Sequence, residues 1–286
     1  MNNRRMNRRS WLGSAAAALS LARFASAAEG NFKHALGVQL YTVRNVWKGH
    51  EDEELRRIAE IGYTEVETTG ENKLDMISPM LKKYKLKAVS THLSDGAAIK
   101  PETIETAKKY GVEYLVYPYV PPSERGSADG YRKLADQMNE AGQKCHAAGL
   151  TFCYHNHAFE FGGEMGQRPM DIFNERLDKK LVNFEVDVFW ISVAGGDPAA
   201  FLKEHAGRVP LVHLKDKAQG TPVQYNENVP APTFKEVGSG SLDFAAILKT
   251  AASVGVKHFF VEQDQTPGDP IDSLKKSYDY LRSVKV

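Results

Sequence analysis

The sequence has few of the residues that mark several common kinds of site. Only two of its 286 residues are cysteines, Cys145 and Cys153, and they do not form a Cys-x-x-Cys pair. A dithiol redox motif and a thiolate zinc site of that spacing are therefore excluded. We expect both cysteines to be buried free thiols. No Gly-x-Gly-x-x-Gly follows the first strand-like run, so a dinucleotide-binding site has no support.

The sequence also lacks an apolar run long enough to anchor it in a membrane. Its most apolar stretch, residues 15–21, is shorter than the roughly 20 residues that a spanning helix needs. It follows the twin arginines Arg8 and Arg9 and precedes the small-residue site Ala25-Ser26-Ala27. Residues 1–27 are therefore predicted to be a twin-arginine signal peptide, and we expect a periplasmic or secreted protein.

Excess positive charge is absent from the remainder of the chain. The formal net charge is +1, from 37 basic and 36 acidic residues. Five of the arginines and none of the acidic residues lie in residues 1–27, so removing this segment brings the net charge to −4. Binding to a phosphate backbone needs a concentrated basic surface, so a nucleic acid is not expected as a partner. The sequence leaves the oligomeric state open.

Residues 28–286 alternate between strand-like and helical patterns, which predicts one α/β domain. Eight such strands and their helices favour a closed (β/α)8 barrel, for which about 250 residues is typical. The alternative is an open, doubly wound sheet. Pro79, Pro101, Pro198 and Pro270 each predict the first turn of a helix, and residues 216–240 predict a long loop that could cover the barrel mouth. The strand-like runs lie near 36–41, 64–67, 86–92, 113–117, 150–155, 182–187, 209–214 and 257–263.

Four of the predicted strands end in a side chain that can bind a metal. These residues are His155, Asp187, His213 and Glu262. The carboxyl ends of barrel strands meet at one mouth, so we expect the four side chains to converge there. Buried carboxylates need a cation or protons, and a mixed oxygen and nitrogen set suits Mn²⁺, Co²⁺, Zn²⁺ or Mg²⁺. The sequence therefore predicts one divalent-metal site.

Candidate catalytic groups lie at the same strand ends. His155, His157 or Glu262 could remove a proton from a substrate. His92, as a neutral imidazole, could donate to a substrate oxygen or act as a base. Lys215 could stabilise an oxyanion and contact the substrate.

Other residues are candidates for binding a sugar. Tyr41 and Trp190 offer aromatic faces for sugar C–H surfaces, although aromatic residues in barrels also pack in cores. Glu160 is a further carboxylate near the mouth, either in contact with substrate, acting as an acid or base, or supporting the ligands. Glu67 is another carboxylate in this region.

The chain resembles the xylose isomerase-like TIM-barrel superfamily, which includes sugar isomerases, ketose 3-epimerases, inosose dehydratases and endonuclease IV-like proteins. The resemblance is carried by Tyr154-His155-Asn156-His157, Glu185-Val186-Asp187, His213-Leu214-Lys215-Asp216 and Val261-Glu262. It implies that Asp187, His213 and Glu262 bind the metal. Epimerases usually carry Glu at the fourth position, where this chain has His155, as in the dehydratase-like branch.

The resemblance and the residues together lead to an enzymatic hypothesis. We expect a metal-dependent sugar isomerase or epimerase that removes the proton α to a carbonyl of a non-phosphorylated sugar or keto-sugar, through an enediolate. A 3-keto-glycoside lyase or a dehydratase would use the same site for β-elimination. A barrel that binds carbohydrate without catalysis is a third possibility.

Overall fold

The computed structural model describes residues 30–286, so the predicted signal peptide lies outside the described residues. Eight parallel strands close into a barrel in the order β1-β10-β7-β6-β5-β4-β3-β2, and β8 and β9 form a separate antiparallel pair. The prediction of a single (β/α)8 barrel is thus confirmed. The strands are β1 Leu36–Gln39, β2 Glu65–Thr68, β3 Lys87–His92, β4 Tyr114–Tyr117, β5 Thr151–His155, β6 Val182–Asp187, β7 Leu211–Leu214, β8 Asp216–Lys217, β9 Phe234–Lys235 and β10 His258–Val261.

Helices surround the barrel, and the longer ones bury an apolar face against it. For example, Leu55 and Ile58 of α2 and Leu248 of α9 are fully buried. Among the described residues, no helix combines the length and the apolar character needed to cross a membrane. The helices are α1 Arg44–Trp47, α2 Glu51–Ile61, α3 Leu74–Tyr84, α4 Pro101–Tyr110, α5 Ala128–Ala147, α6 Pro169–Arg176, α7 Val188–Val193, α8 Pro198–Glu204, α9 Phe244–Val254 and α10 Pro270–Ser283.

Two local predictions need correction. Pro101, Pro198 and Pro270 do begin helices, but Pro79 lies inside α3, which starts at Leu74. Burial of Leu74 and other apolar residues on the inner face of α3 outweighs the hydrogen bond that a proline cannot donate. The segment 216–240 is not a plain loop either, because β8 pairs with β9 within it.

The interior of the barrel is layered along the strands. Because alternate residues of a strand share a face, each strand sends two or three side chains inward at different heights. The middle layer is apolar and fully or almost fully buried. Below it, towards the amino ends of the strands, Glu65 of β2 pairs with His258 of β10. Above it, at the carboxyl ends, the inward side chains are ionisable. The middle layer consists of Val89, Tyr114, Val116, Cys153, Leu211 and Phe260.

Candidate metal centre

Three of the predicted ligands meet at the mouth of the barrel. Asp187 ends β6, His213 lies on β7 and Glu262 directly follows β10, and these three strands are neighbours in the barrel. One possible ligand atom from each lies within 4.8 Å of the others. His213 Nδ1 is 2.8 Å from Glu262 Oε2 and 3.9 Å from Asp187 Oδ2. All three side chains are buried.

The fourth predicted ligand, His155 of β5, lies beside this group. Its Nε2 is 3.7 Å from Asp187 Oδ2. Ligand atoms that each lie about 2.1 Å from one ion are separated by roughly 3–4 Å, so these spacings suit a shared divalent ion. Asp187 Oδ2 is buried, and its near neighbours are the Lys215 ammonium at 3.0 Å and the imidazoles of His155 and His213 at 3.7 and 3.9 Å. A buried carboxylate oxygen among two imidazoles and a second carboxylate is a donor set that suits a divalent metal, so the residues present fit the group.

The hydrogen bonds around Asp187 explain why its Oδ2 faces the neighbouring ionisable side chains. Asp187 Oδ1 caps α7 by accepting hydrogen bonds from the amides of Phe189 (2.9 Å) and Trp190 (3.1 Å). The side chain of Asn156 holds the Asp187 peptide, since its Oδ1 accepts from Asp187 N at 3.0 Å. One oxygen is fixed by the helix cap, so the other is directed towards the remaining donors.

Lys215 supplies a buried positive charge next to these carboxylates. Its Nζ lies 2.7 Å from Glu262 Oε2, 3.0 Å from Asp187 Oδ2 and 3.0 Å from Asp264 Oδ1. Burial by itself would lower the pKa of Lys215, but Asp187, Asp264 and Glu262 together raise it well above its usual value. Lys215 is therefore an ammonium ion at neutral pH. Burial raises the pKa of Asp264 to about 6, although Lys215 opposes the shift.

A second group of ionisable residues lies beside the first. Glu67 of β2, His92 of β3 and Glu185 of β6 form this inner group, and His92 Nε2 is 3.0 Å from a carboxylate oxygen of each glutamate. Burial alone would lower the pKa of His92, but the two carboxylates outweigh it and raise the pKa to about 9. His92 is therefore protonated at neutral pH, which corrects the expectation of a neutral imidazole.

Two further residues have polar atoms with no hydrogen-bond partner in the described part of the chain. They are His157 Nδ1 and Trp190 Nε1; both atoms are buried, and both side chains line the cavity above the ligands. Burial, reinforced by Lys215, lowers the pKa of His157 well below its usual value. His157 is therefore a neutral imidazole, and Trp190 offers an unused N–H donor.

The cavity above these residues has a volume of about 500 Å³. Tyr41 lies at its rim and is 42% exposed, with the Arg44 guanidinium stacked over its ring. The loop before β9 closes one side through Glu227 and Val229. Asp187 and His213 lie beneath this space, and seven of the ten candidate residues line it, namely Tyr41, His92, His155, His157, Trp190, Lys215 and Glu262.

Glu160 does not line the cavity, which favours the supporting role among those that the sequence left open. Its carboxylate accepts hydrogen bonds from Tyr154 Oη at 2.6 Å and from the His157 amide at 2.9 Å. Burial raises the pKa of Glu160 to about 7. Glu160 therefore supports the turn that presents His155 and His157.

Sequence reasoning did not assign a role to Glu185 or Asp264. Each was detectable, because each lies two residues from a predicted ligand and so can share its direction at the mouth. Glu227 and Asn156 carried no comparable signal, since they belong to loops whose course depends on tertiary contacts.

Similar proteins agree with this fold. Inosose dehydratases of Geobacillus thermodenitrificans and Klebsiella pneumoniae are 27% and 26% identical over 161 and 170 residues. These matches cover 53% and 55% of this chain and 53% and 56% of the dehydratases, so the chain spans about half the length of the curated relatives it matches.

Solved structures match over most of the chain. A sugar phosphate isomerase/epimerase from Parabacteroides distasonis has 23% identity and a TM-score of 0.72, covering 90% of this chain and 96% of its own. A 3-keto-D-glucoside 4-epimerase from E. coli has 18% identity and a TM-score of 0.64, covering 88% and 100%.

These relatives are enzymes, in line with the prediction that this chain is one. Identities this low between structures establish the fold alone. The family model for the xylose isomerase-like TIM barrel matches residues 55–284. The chain therefore belongs to the xylose isomerase-like TIM barrel family.

Proposed function

We propose that the protein is a divalent-metal-dependent enzyme that removes the proton α to the carbonyl of a neutral sugar or keto-sugar and returns it, as an isomerase or epimerase does. One observation carries this proposal. Asp187, His213 and Glu262 bring three metal-binding side chains to one buried point beneath a cavity of about 500 Å³, and His155 Nε2 lies 3.7 Å from Asp187 Oδ2. The cap of α7 uses only Asp187 Oδ1, so Oδ2 faces Lys215 and the two imidazoles.

The residues around this point divide the chemistry between them. A divalent ion held here would act as a Lewis acid that polarises the substrate carbonyl and stabilises an enediolate. Lys215 keeps a fixed positive charge at the same place, so it lowers the energy of a developing oxyanion without moving a proton. Trp190 Nε1 and the protonated His92 are donors for substrate oxygens.

His157 is the residue best suited to accept the proton. Its imidazole is neutral, lines the cavity and has one nitrogen without a partner among the described residues. The amide of His157 is fixed by Glu160, and its ring packs against Tyr119 and Trp190 at centroid distances of 5.1 and 5.4 Å. A base held in this way keeps one orientation towards a bound substrate.

The charges that line the cavity favour an uncharged substrate over a sugar phosphate. Its cationic residues are already occupied. Lys215 contacts three carboxylates, Arg44 donates to the Asp264 carbonyl at 2.6 Å, and His92 lies 3.0 Å from two glutamates. Glu227, Glu262 and Asp264 also line the cavity. A phosphate dianion would meet this acidic wall without a free guanidinium or ammonium to pair with.

A second candidate is β-elimination on a keto-glycoside or keto-cyclitol, as in a lyase or dehydratase. The observation that favours it is the imidazole at position 155, where epimerases resembling this chain usually carry a carboxylate. Because His155 is an imidazole, it cannot be the second carboxylate base of an epimerase. Its Nδ1 is held by Glu185 at 3.0 Å. Both candidates begin with the same proton removal and differ in the fate of the carbanion.

The deciding experiment combines metal analysis with proton exchange. The protein, purified without chelator or metal-affinity resin, should take up about one equivalent of Mn²⁺ or Co²⁺. In heavy water, NMR should show exchange of the proton α to the carbonyl of neutral keto-sugars or 3-keto-glycosides, and loss of the β-substituent would identify elimination. Asp187→Asn should lose both metal and exchange while its amide-bearing side chain still caps α7. Failure of the wild-type protein to take up metal would refute the proposal.

We further propose that the enzyme acts outside the cytoplasm, on the basis of Arg8, Arg9 and the small-residue site at residues 25–27. Replacing both arginines with lysine should leave the protein in the cytoplasmic fraction, and unchanged fractionation would contradict export by this route.

A further inference from the structure

Two imidazoles at the site each lie between a predicted metal position and a buried carboxylate of the inner group. In His213, Nδ1 lies 2.8 Å from Glu262 Oε2, and Nε2 lies 2.6 Å from Glu67 Oε2. The two nitrogens of this ring therefore face different partners. Only Nδ1 is on the side of Asp187 and Glu262.

His155 repeats the arrangement with its nitrogens exchanged. Its Nδ1 is 3.0 Å from Glu185 Oε2, and its Nε2 is the atom 3.7 Å from Asp187 Oδ2. In both rings, the nitrogen that does not face the ligand group has a carboxylate within hydrogen-bond distance.

We propose that Glu67 and Glu185 are positioning residues that determine which nitrogen of His213 and of His155 is presented to the metal. A neutral imidazole has one N–H and one lone pair, and an ionised carboxylate can only accept a hydrogen bond. With a metal ion in place of the hydrogen on Nδ1, Glu67 would hold the one remaining hydrogen of His213 on Nε2 and leave the Nδ1 lone pair for the ion. Glu185 holds the hydrogen of His155 on Nδ1, which leaves the Nε2 lone pair free. This inference rests on the metal site proposed above.

The inner carboxylates are themselves held in place, as this role requires. Glu67 accepts from Gln39 Nε2 and from Ser90 Oγ, both at 2.6 Å. His92 lies 3.0 Å from both glutamates and links them. Both glutamate side chains are fully buried, so water does not compete for these hydrogen bonds. A fixed acceptor selects one ring orientation, whereas a mobile one would allow the imidazole to flip.

The chain offers a matched control on the same strand. Glu65 lies two residues before Glu67 and accepts from His258 Nδ1 at 2.9 Å, at the opposite end of the barrel. Glu65→Gln alters a glutamate–histidine pair of the same kind without touching the metal residues.

The test is metal affinity together with the hydrogen positions of the histidine rings. Binding of Mn²⁺ and Zn²⁺ would be measured by titration calorimetry for the wild type, Glu67→Ala, Glu67→Gln and Glu65→Gln. We expect a loss of about 10- to 100-fold for Glu67→Ala, a smaller loss for Glu67→Gln, whose amide oxygen still accepts, and none for Glu65→Gln. Glu67→Gln preserves the side-chain volume if Glu67→Ala does not fold.

A spectroscopic readout separates positioning from general destabilisation. In the zinc-loaded wild type, long-range proton–nitrogen spectra of ¹⁵N-histidine-labelled protein should place the hydrogen of His213 on Nε2 and that of His155 on Nδ1. Glu67→Ala should alter the His213 signals and leave those of His155 in place. Glu185→Gln should alter the His155 signals most, with a smaller change at His213, whose Nε2 lies 3.2 Å from Glu185 Oε2. Unchanged affinity and unchanged hydrogen positions would overturn this inference while leaving the metal site intact. A wild type that binds no metal would overturn both.

Discussion

Strand β2 carries two buried glutamates that pair with histidines at opposite ends of the barrel interior. Glu65 accepts from His258 at 2.9 Å, and Glu67 lies 2.6 Å from His213. The two pairs have the same chemistry but different surroundings. Glu65 lies under the apolar middle layer, near the Tyr114 ring that packs on His258, whereas Glu67 joins a network of imidazoles and carboxylates. A glutamate–histidine pair therefore does not indicate a functional site by itself. The Glu67–His213 pair is distinguished by the number of ionisable residues around it.

That density has an energetic consequence. Several carboxylates are fully buried at the mouth, and each would destabilise the fold without a compensating cation. Lys215 and His92 supply such cations, one for the outer carboxylates and one for the inner pair. The mouth of the barrel is thus stabilised by charge balance, whereas the layer below it is stabilised by apolar packing. Changes to this charge balance at the carboxyl end of the barrel should therefore leave the amino end unaffected.

The largest effect is expected from Lys215→Met. This change leaves Asp187, Glu262 and Asp264 buried without their shared cation, and breaking a buried ion pair typically costs about 3–5 kcal/mol. We expect the free energy of unfolding of the metal-free variant to fall by this amount, so that it unfolds at a lower denaturant concentration. A divalent ion binding to the same carboxylates should then stabilise the variant more than the wild type. Chemical denaturation with and without Mn²⁺ measures both effects.

Lys217→Met is the matched control for that experiment. Lys217 lies two residues further along the chain, but its Nζ donates to the Ser192 carbonyl at 2.7 Å instead of pairing with a carboxylate. Mn²⁺ should stabilise Lys217→Met by the same amount as it stabilises the wild type. Equal stability of Lys215→Met and the wild type without metal would contradict the charge-balance argument.

The next effect concerns Glu160, a buried carboxylate without a cation in hydrogen-bond contact. Its pKa is about 7 in the folded protein against 4.5 for an unperturbed glutamate. Below pH 4.5 both states are protonated, and Glu160 does not oppose folding. As the pH rises from about 4.5 to about 7, the unfolded chain loses its proton first, so folding stability falls by an amount on the order of 3 kcal/mol and then levels off.

Glu160→Gln should remove this pH dependence, because its amide oxygen can still accept from Tyr154 and the His157 amide without titrating. The check is urea denaturation of both proteins at several pH values between 4.5 and 8, in the presence of a chelator. As the pH rises, the free energy of unfolding of the wild type should fall relative to that of Glu160→Gln. Parallel curves would mean that Glu160 titrates normally.

Much of this architecture could be predicted because it depends on local patterns. The eight strand-like runs agree with the observed barrel strands to within two residues at each end. Asp187, His213 and Glu262 were recognisable because the carboxyl ends of parallel barrel strands must converge. Asp187 also caps α7.

The remaining features depend on contacts between distant residues. Glu67 and His213 are 146 positions apart, so nothing in the sequence shows that they share a hydrogen bond. The protonation of His92 results from carboxylates on β2 and β6, and the sequence gives no distance between them. Glu160 was placed at the mouth by its position, but the short turn at Phe159–Phe161 directs it to backbone and Tyr154 instead.

The smallest effect is expected for Glu65→Gln, which tests the other side of the comparison. The glutamine can still accept a hydrogen bond from His258, so the cost should be limited to about 1 kcal/mol for a weakened pair. Metal affinity and catalysis should equal those of the wild type, since the apolar layer with Phe260 separates Glu65 from the ligands. Denaturation and calorimetry on the same preparation provide both values. A loss of metal affinity comparable to that of the Glu67 variants would show that the two ends of the barrel are coupled, and the division drawn here between a structural pair and a functional network would then be wrong.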